Sequence, residues 1–258
     1  MKIHIIGAGN LGVAIAIGIS KFTSDHQIIL TRRNTQSIQH LSSDKITISS
    51  DNCHNISHAD LIILAVKPYQ IEAVIGQILP QIQNKTILST VSGVTLKMLQ
   101  EYTQNKHSII RIMPNIAIQF GESATCISFD DSKNEKGQQV VDLFQKLGTA
   151  PVIEEKLMDA ATVLGACGTA YALRYIRASM QAGIEIGFDS QTALAIAAQT
   201  AKGAAQMLLE EKIHPEQLID RVTTPQGCTI VGLNEMEHHG FSSSLIKGIK
   251  TSLQKIKG

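Results

Sequence analysis

The 258-residue chain has little cysteine and no surplus of either charge. Its four cysteines, Cys53, Cys126, Cys167 and Cys228, lie far apart, with no C-x-x-C pair and no Cys/His spacing suited to a metal. No metal site is therefore expected, and reduced thiols in a cytoplasmic protein are the simplest account. A formal net charge of +1 supplies no field to draw in nucleic acid, so none is expected as a partner. No run of eighteen apolar residues occurs, so no membrane span is expected either. The apolar start is interrupted by Gly7, Gly9 and Asn10, which is unlike a signal peptide. What is present is a 43% apolar composition, with enough length for two modest domains.

The first thirty-four residues organise the rest. Lys2-Ile3-His4-Ile5-Ile6 reads as a short strand, Gly7-Ala8-Gly9-Asn10-Leu11-Gly12 as a tight turn, and Val13 to Ile19 as a helix. The three glycines serve separate ends. Gly7 makes the turn, Gly9 admits a pyrophosphate close to the backbone, and Gly12 lets helix and strand lie close. The amides of the first helical turn, through Asn10 and Leu11, would face the phosphates, helped by the helix dipole.

A second absence decides which dinucleotide. Gln27-Ile28-Ile29-Leu30 reads as the second strand, and an NAD-specific fold places a carboxylate at its end. Here Thr31-Arg32-Arg33-Asn34 stands there instead. Two guanidiniums suit a phosphate dianion, so NADP(H) is expected, with NAD(H) less preferred. The alternative is a solvated basic turn.

Further on, Leu61 to Val66 is a continuous apolar run, as expected of a parallel strand covered on both faces. Lys67-Pro68 stops it, and Tyr69 to Leu79 reads as a helix ended by Pro80. Strands are expected at Thr86–Val91, Ser108–Ile112, Ser123–Phe129 and Pro151–Ile153, with helices near Thr95–Tyr102 and over Asn134–Leu147. This is a doubly wound α/β pattern, whose ligands sit at the carboxyl ends of strands. Ala65, Val66, Lys67 and Pro114 lie at such ends and, with Asn52, join the glycine turn and Arg32–Asn34 as cofactor-binding candidates.

Near Glu154 the pattern changes. No strand is evident beyond Met158, and helices are expected over 158–184, 190–211, 215–221, 227–238 and 242–257. The boundary is set at 154/155: an N-terminal Rossmann-type doubly wound sheet over 1–154, then an all-α domain over 155–258. Two of the helices are rich in glycine and alanine, which lets helices approach closely. That packing could lie within one subunit; the favoured reading is a bundle shared by two.

Asp220-Arg221-Val222-Thr223-Thr224-Pro225-Gln226-Gly227-Cys228-Thr229 is a hydroxyl-rich loop running into a helix. Two local readings stand. Either a threonine caps the helix, or the amides of Gly227, Cys228 and Thr229 receive a carboxylate. This segment resembles the signature of pyrroline-5-carboxylate reductase, roughly D-x-V-T-S-P-G-G-T-T. The resemblance extends over nearly the whole chain. It takes in Gly7–Gly12, Ala65-Val66-Lys67-Pro68, Arg111-Ile112-Met113-Pro114-Asn115, Ala197-Ala198-Gln199-Thr200 with Gly203-Ala204-Ala205, and Glu237-His238-His239-Gly240-Phe241. Gln226 stands where the family has its first glycine. Gly165-Ala166-Cys167-Gly168-Thr169-Ala170-Tyr171 stands for the family's S-G-S-G-P-A-Y.

The resemblance implies a helical dimerisation domain and reduction of 1-pyrroline-5-carboxylate to L-proline in proline biosynthesis. The protein is expected to be a homodimer, with further assembly of dimers open. Thr224 and the amides of Gly227, Cys228 and Thr229 would hold the substrate carboxylate, and Thr229 would be the catalytic group at the ring nitrogen. An iminium is already electrophilic, so orientation and exclusion of water carry most of the rate. His238 and His239 point about 100° apart on a helix and are expected at the surface. A β-hydroxyacid dehydrogenase would need a lysine on the first long helix, where the chain has Arg174 and Arg177 and no lysine between Met158 and Gln199. The alternative of another class is a non-catalytic NADP(H)-binding regulator built on the same fold.

Overall fold

The computed structural model describes residues 1–24, 26–130 and 135–257, residue 257 by its backbone only. Two compact units divide it, Met1–Cys167 and Gly168–Ile256.

The first unit begins β1 (Lys2–Ile6), α1 (Asn10–Phe22), β2 (Gln27–Thr31), β3 (Ile46–Ser49), β4 (Leu61–Leu64), α2 (Ile71–Ile78), β5 (Thr86–Ser89), α3 (Leu96–Tyr102) and β6 (Ser108–Met113). It continues with β7 (Ser123–Ala124), β8 (Cys126–Ser128), α4 (Glu135–Gln145) and β9 (Gly148–Thr149). The main sheet runs β3-β2-β1-β4-β5-β6-β8, parallel except for β8, which is antiparallel to β6. Strand order reverses between β1 and β4, which makes a switch point of the doubly wound kind. Register does the rest. Ile6 lies beside both Thr31 and Leu64, and Leu64 beside Ser89. The residues that follow, Gly7, Arg32, Ala65 and Thr90, therefore emerge along one edge.

The runs of isoleucine and leucine form strands because both faces are covered. α1 and α4 bury Ile15, Ile19, Val141 and Phe144 against Ile3, Ile5 and Ile63. On the other face α2 and α3 bury Ile71, Ile75, Leu96 and Leu99 against Ile6, Ile62 and Ile87. Alternation puts His4 on that second face. It is fully buried, and neither ring nitrogen has a hydrogen-bond partner among the described residues. Burial, reinforced by His54 and opposed by Asp51, lowers its pKa to about 4, so the ring is neutral.

Three expectations need correction. β3 is absent from the expected strands; it is a short edge strand whose partners are set by register rather than by a strong apolar run. Ser123–Phe129 is not one strand: Thr125 divides it, β7 pairs with β9 and β8 with β6. The backbone of buried Thr125 turns to donate to the carbonyl of Thr149 at 2.8 Å, which changes partner sheets. Pro151–Ile153 makes only an isolated bridge between Val152 and Ile127, since Pro151 has no N–H for a ladder. The helix expected from Asn134 is observed from Glu135, Asn134 lying outside the described residues.

A short helix, α5 (Met158–Ala161), runs into a π-helix at Thr162–Cys167. The second unit is α6 (Gly168–Glu185), α7 (Ser190–Glu211), α8 (Pro215–Arg221), α9 (Cys228–His238) and α10 (Phe241–Lys257). Asp189 caps α7, accepting from the amides of Gln191 and Thr192 at 3.0 and 3.1 Å. Part of the small-residue pattern serves packing within the chain: a side chain on Gly183 of α6 would reach 2.9 Å from Ala193 of α7, and Ala193 and Ala197 are buried. The Tyr171 and Ser252 hydroxyls share a hydrogen bond of 2.7 Å that ties α6 to α10.

Candidate functional site

The glycine turn is built as its spacing requires. Gly7 has φ +106°, and a side chain there would sit 2.5 Å from the Ala65 carbonyl oxygen. A side chain on Gly12 would collide with the Gly7 carbonyl, whereas Gly9 opens on free space. The amides sort into two groups. Those of Gly7 and Ala8 donate to the Thr31 carbonyl at 3.2 and 2.9 Å, and that of Gly9 to the Gly7 carbonyl at 2.8 Å. They secure the turn. Those of Asn10 and Leu11 open α1, have no intrahelical partner and meet no side-chain cap, and no acidic residue stands in that first turn. An anion is the fitting guest.

Arg32 reaches back to this turn: its Nη1 donates to the Ala8 carbonyl at 3.2 Å, and its backbone N–H donates to the Ser49 carbonyl at 3.1 Å. Arg33 is exposed beside it. Asn34 accepts the Gln36 amide at 3.1 Å, which shapes the loop. Asn52 acts as a brace. Its Oδ1 accepts the Thr31 hydroxyl at 2.7 Å and its Nδ2 donates to Gln77 at 3.0 Å. Val66 flanks Gly7. Lys67 is exposed, its backbone N–H donating to Gln70 at 3.2 Å. Pro114 is buried at the end of β6. The fold thus gathers the glycine turn, Arg32, Ala65 and Val66 at one edge.

Two supports lie beyond the sequence reading. Arg111, buried on β6, pairs with Glu155 at 2.9 Å, and the same Glu155 oxygen accepts the Leu96 amide at 2.6 Å. A lone charge in an apolar strand is the available signal, since a buried guanidinium needs a partner. Asn115 Nδ2 donates to the Gly165 carbonyl in the π-helix at 3.2 Å, and its Oδ1 accepts from Ala117 at 3.0 Å. A single π turn has no sequence period of its own.

In the second unit, Thr223 closes α8 by donating its hydroxyl to the Ile219 carbonyl at 2.7 Å. Thr224-Pro225-Gln226-Gly227 then forms a turn, closed by the Gly227 N–H to the Thr224 carbonyl at 3.0 Å. Gln226 has φ +60°, the left-handed third position of a type II turn with proline second, where glycine is the default. An L residue there costs roughly 1–2 kcal/mol. A side chain on Gly227 would collide with the Thr224 hydroxyl. Gly227 is the N-cap of α9 and no side chain caps that helix, so the local reading of a threonine cap is overturned. The amides of Cys228 and Thr229 begin α9 without a cap, and Thr224, Cys228 and Thr229 are exposed. His238 and His239 are exposed too, His239 lying 3.1 Å from Glu235.

A separate cleft of about 270 Å³ is lined by Lys2, His4, Gln27, Thr47 and Asn55. It lies towards the amino ends of β1 and β2, away from the glycine turn. Among the described residues no cluster of His, Cys, Asp or Glu is able to hold a metal, and no helix is long and apolar enough to cross a membrane.

A glycine turn at the switch point of a largely parallel sheet, followed by an all-helical unit in which α9 starts without a side-chain cap, defines a two-domain dinucleotide-binding oxidoreductase fold. Comparison with known proteins makes this particular. A family model described as pyrroline-5-carboxylate reductase dimerisation matches residues 155–258, and one described as NADP oxidoreductase coenzyme F420-dependent matches residues 2–93. Pyrroline-5-carboxylate reductase 2 of Dictyostelium discoideum is 43% identical over 98% of this chain and 91% of its own length. Pyrroline-5-carboxylate reductase 1 of the same organism is 42% identical over 98% of this chain, which spans 49% of that longer protein. The crystal structure of Plasmodium falciparum pyrroline carboxylate reductase with NADP bound superposes with a TM-score of 0.88 at 26% identity, covering 100% of this chain and 97% of that one. The chain belongs to the pyrroline-5-carboxylate reductase family.

Proposed function

We infer that this protein reduces the cyclic imine 1-pyrroline-5-carboxylate to L-proline at the expense of NADPH. Two things carry the reading together: similarity to reductases of that name along the whole chain, and the uncapped start of α9 behind the Thr224–Gly227 turn. The Asn10 and Leu11 amides fit the dinucleotide's pyrophosphate, and Arg32 and Arg33 its 2′-phosphate. When bound, that cofactor supplies a hydride to the imine carbon. The chain's own part is binding and orientation. The Cys228 and Thr229 amides, with the Thr224 hydroxyl, hold the substrate carboxylate, and Thr229 Oγ1 orients the ring nitrogen as the imine becomes an amine. No strong acid is required of the protein, in keeping with a loop of hydroxyls and amides and with the surface positions of His238 and His239.

The working unit is a homodimer joined through the 155–258 domain, acting in the cytoplasm. The dimerisation model matched there and the exposed apolar residues of α6 and α7 support the dimer. The deciding experiment is NADPH oxidation with 1-pyrroline-5-carboxylate. Turnover is expected; tight NADPH binding without turnover would instead mean a cofactor-binding regulator. Losing a hydrogen bond to a charged group costs about 1.5–3 kcal/mol, or roughly 10- to 150-fold in rate. Thr229→Ala should therefore lower kcat/KM by about that factor, with Thr229→Ser retaining most activity and NADPH affinity unchanged. A loss under about threefold with the fold intact would reduce Thr229 to a bystander.

A further inference from the structure

One carboxylate joins three parts of the first unit. Glu155, in the short turn of helix before α5, accepts from Arg111 Nη1 at 2.9 Å and from the backbone N–H of Leu96 at 2.6 Å, both at Oε1. Arg111 stands on β6 with its side chain 4% exposed, and a buried guanidinium needs such a partner. Leu96 opens α3, and its amide is among those that a helix start leaves without an intrahelical acceptor. Thr95, the N-cap, serves Met98 instead, at 3.2 Å. Glu155 therefore supplies what the local cap does not, from 59 residues away in sequence.

The turn between β5 and α3 is held at two ends. At its start, the backbone N–H and the hydroxyl of Thr90 both donate to the Leu64 carbonyl, at 3.0 and 3.2 Å. At its end stands the Leu96 amide on Glu155. Val91 and Val94 are buried between them, and Gly93 is exposed with φ +75°. This turn leaves β5 at the edge that carries the glycine turn. β4 and β5 lie across the switch point from β2 and its two arginines. In such sheets that half of the crevice takes the second mononucleotide.

Resting on the NADPH reading given above, we propose that Glu155 is a positioning residue for the reduction: held by Arg111, its carboxylate fixes the turn after β5 on the nicotinamide side of the crevice. It acts through the Leu96 amide, not by contact with the reacting atoms. Hydride transfer depends on alignment, so a small displacement of a positioning segment is costly.

Two variants separate position from stability. Glu155→Gln keeps an oxygen for the Leu96 amide but leaves Arg111 without a counter-charge. Arg111→Met combined with Glu155→Met removes both charges, which costs a fold little, and with them the acceptor of Leu96. If the pair served the fold alone, turnover would follow melting temperature. Here the two should part. Glu155→Gln should melt lower yet keep kcat within about threefold of wild type. The double variant should melt within about 3 °C of wild type yet lose about tenfold in kcat, with KM for the imine within about twofold. In protein free of cofactor, amide exchange over residues 92–95 should quicken about tenfold in the double variant and little in Glu155→Gln. A double variant with kcat within about twofold of wild type overturns the proposal, and so does unchanged exchange over 92–95. Turnover that falls with melting temperature in both variants, or a double variant that does not fold, assigns the pair to the fold alone and equally overturns it. Wild-type protein that binds NADPH but never turns over the imine would sink the functional reading itself, and this inference with it, a result distinct from the others.

Discussion

Ile3, Ile5, Ile15, Ile63 and Phe144 of the first unit are each at most 1% exposed, whereas Leu173, Ile186 and Leu209 of the second are 57%, 77% and 58% exposed. Among the described residues of the second unit, only Ala193, Ala197 and Leu218 are buried apolar side chains. The first unit closes its own core, because a parallel sheet with helices on both faces leaves no apolar face over. The second consists of long helices whose apolar stripes exceed what they bury on one another. Exposed apolar surface on that scale marks an interaction face, and its chemistry suits a second copy of the same chain.

The largest expected effect breaks this comparison at its weak side. Leu173→Glu combined with Ile196→Glu should halve the mass seen by light scattering at micromolar concentration and abolish turnover. An unpaired charge buried at an interface costs about 3–5 kcal/mol, and twofold symmetry counts every substitution twice. A wild-type protein that is fully active as a 27.9 kDa monomer would refute the shared bundle.

An intermediate effect probes the closed core from within. His4 is neutral when folded, with its pKa lowered from 6.5 to about 4 by burial first and His54 second. Above pH 6.5 neither state binds the proton, so no penalty arises. As pH falls from 6.5 towards 4, the unfolded chain takes up a proton that the folded one refuses. Stability then falls by about 1.4 kcal/mol per pH unit and levels off below about 4. Urea titrations across that window should show the loss in wild type and a shallower slope in His4→Leu. Equal slopes would mean that His4 finds a partner or water on protonation.

The same contrast explains what is legible in the sequence. β4 announces itself as an unbroken apolar run because it is buried on both faces, β1 and β2 as isoleucine-rich runs, and the glycine turn because Gly7 and Gly12 have no room for a side chain. α7 to α10 are legible to within a residue, whereas the helix expected over 158–184 is interrupted by the π turn at Thr162–Cys167, so that α6 begins only at Gly168. Hidden features depend on what lies opposite in space. Ile46–Ser49 is a strand only because β2 pairs with it. Ser123–Ser128 splits between sheets because β9 and β6 compete for its ends. The π turn at Thr162–Cys167 is braced by Asn115, about fifty residues away in sequence. In the candidate site, residue types are legible, but the division of labour among them is not. No pattern shows that the amide of Ala8 is committed to Thr31, or that Asn52 braces Thr31 and Gln77.

The smallest effect sharpens the comparison inside the first unit, at Arg32 and Arg33. From the sequence, both are expected to read the 2′-phosphate and to matter for NADPH alone. The geometry separates them. Arg32 holds the Ala8 carbonyl at 3.2 Å, so it also joins the end of β2 to the glycine turn. Arg33 is exposed and makes no such bond. A charge-assisted contact to phosphate contributes about 1.5–3 kcal/mol, or roughly tenfold or more in affinity. Arg33→Ala should therefore raise the KM for NADPH by about that factor and leave NADH nearly unaffected. Arg32→Ala should raise KM for both cofactors, more for NADPH, because it loosens a turn that both use. Steady-state kinetics with the two cofactors side by side distinguishes the roles. If Arg33→Ala impairs NADH as much as NADPH, that guanidinium does not read the phosphate, and the preference for NADP(H) must come from another part of the same edge.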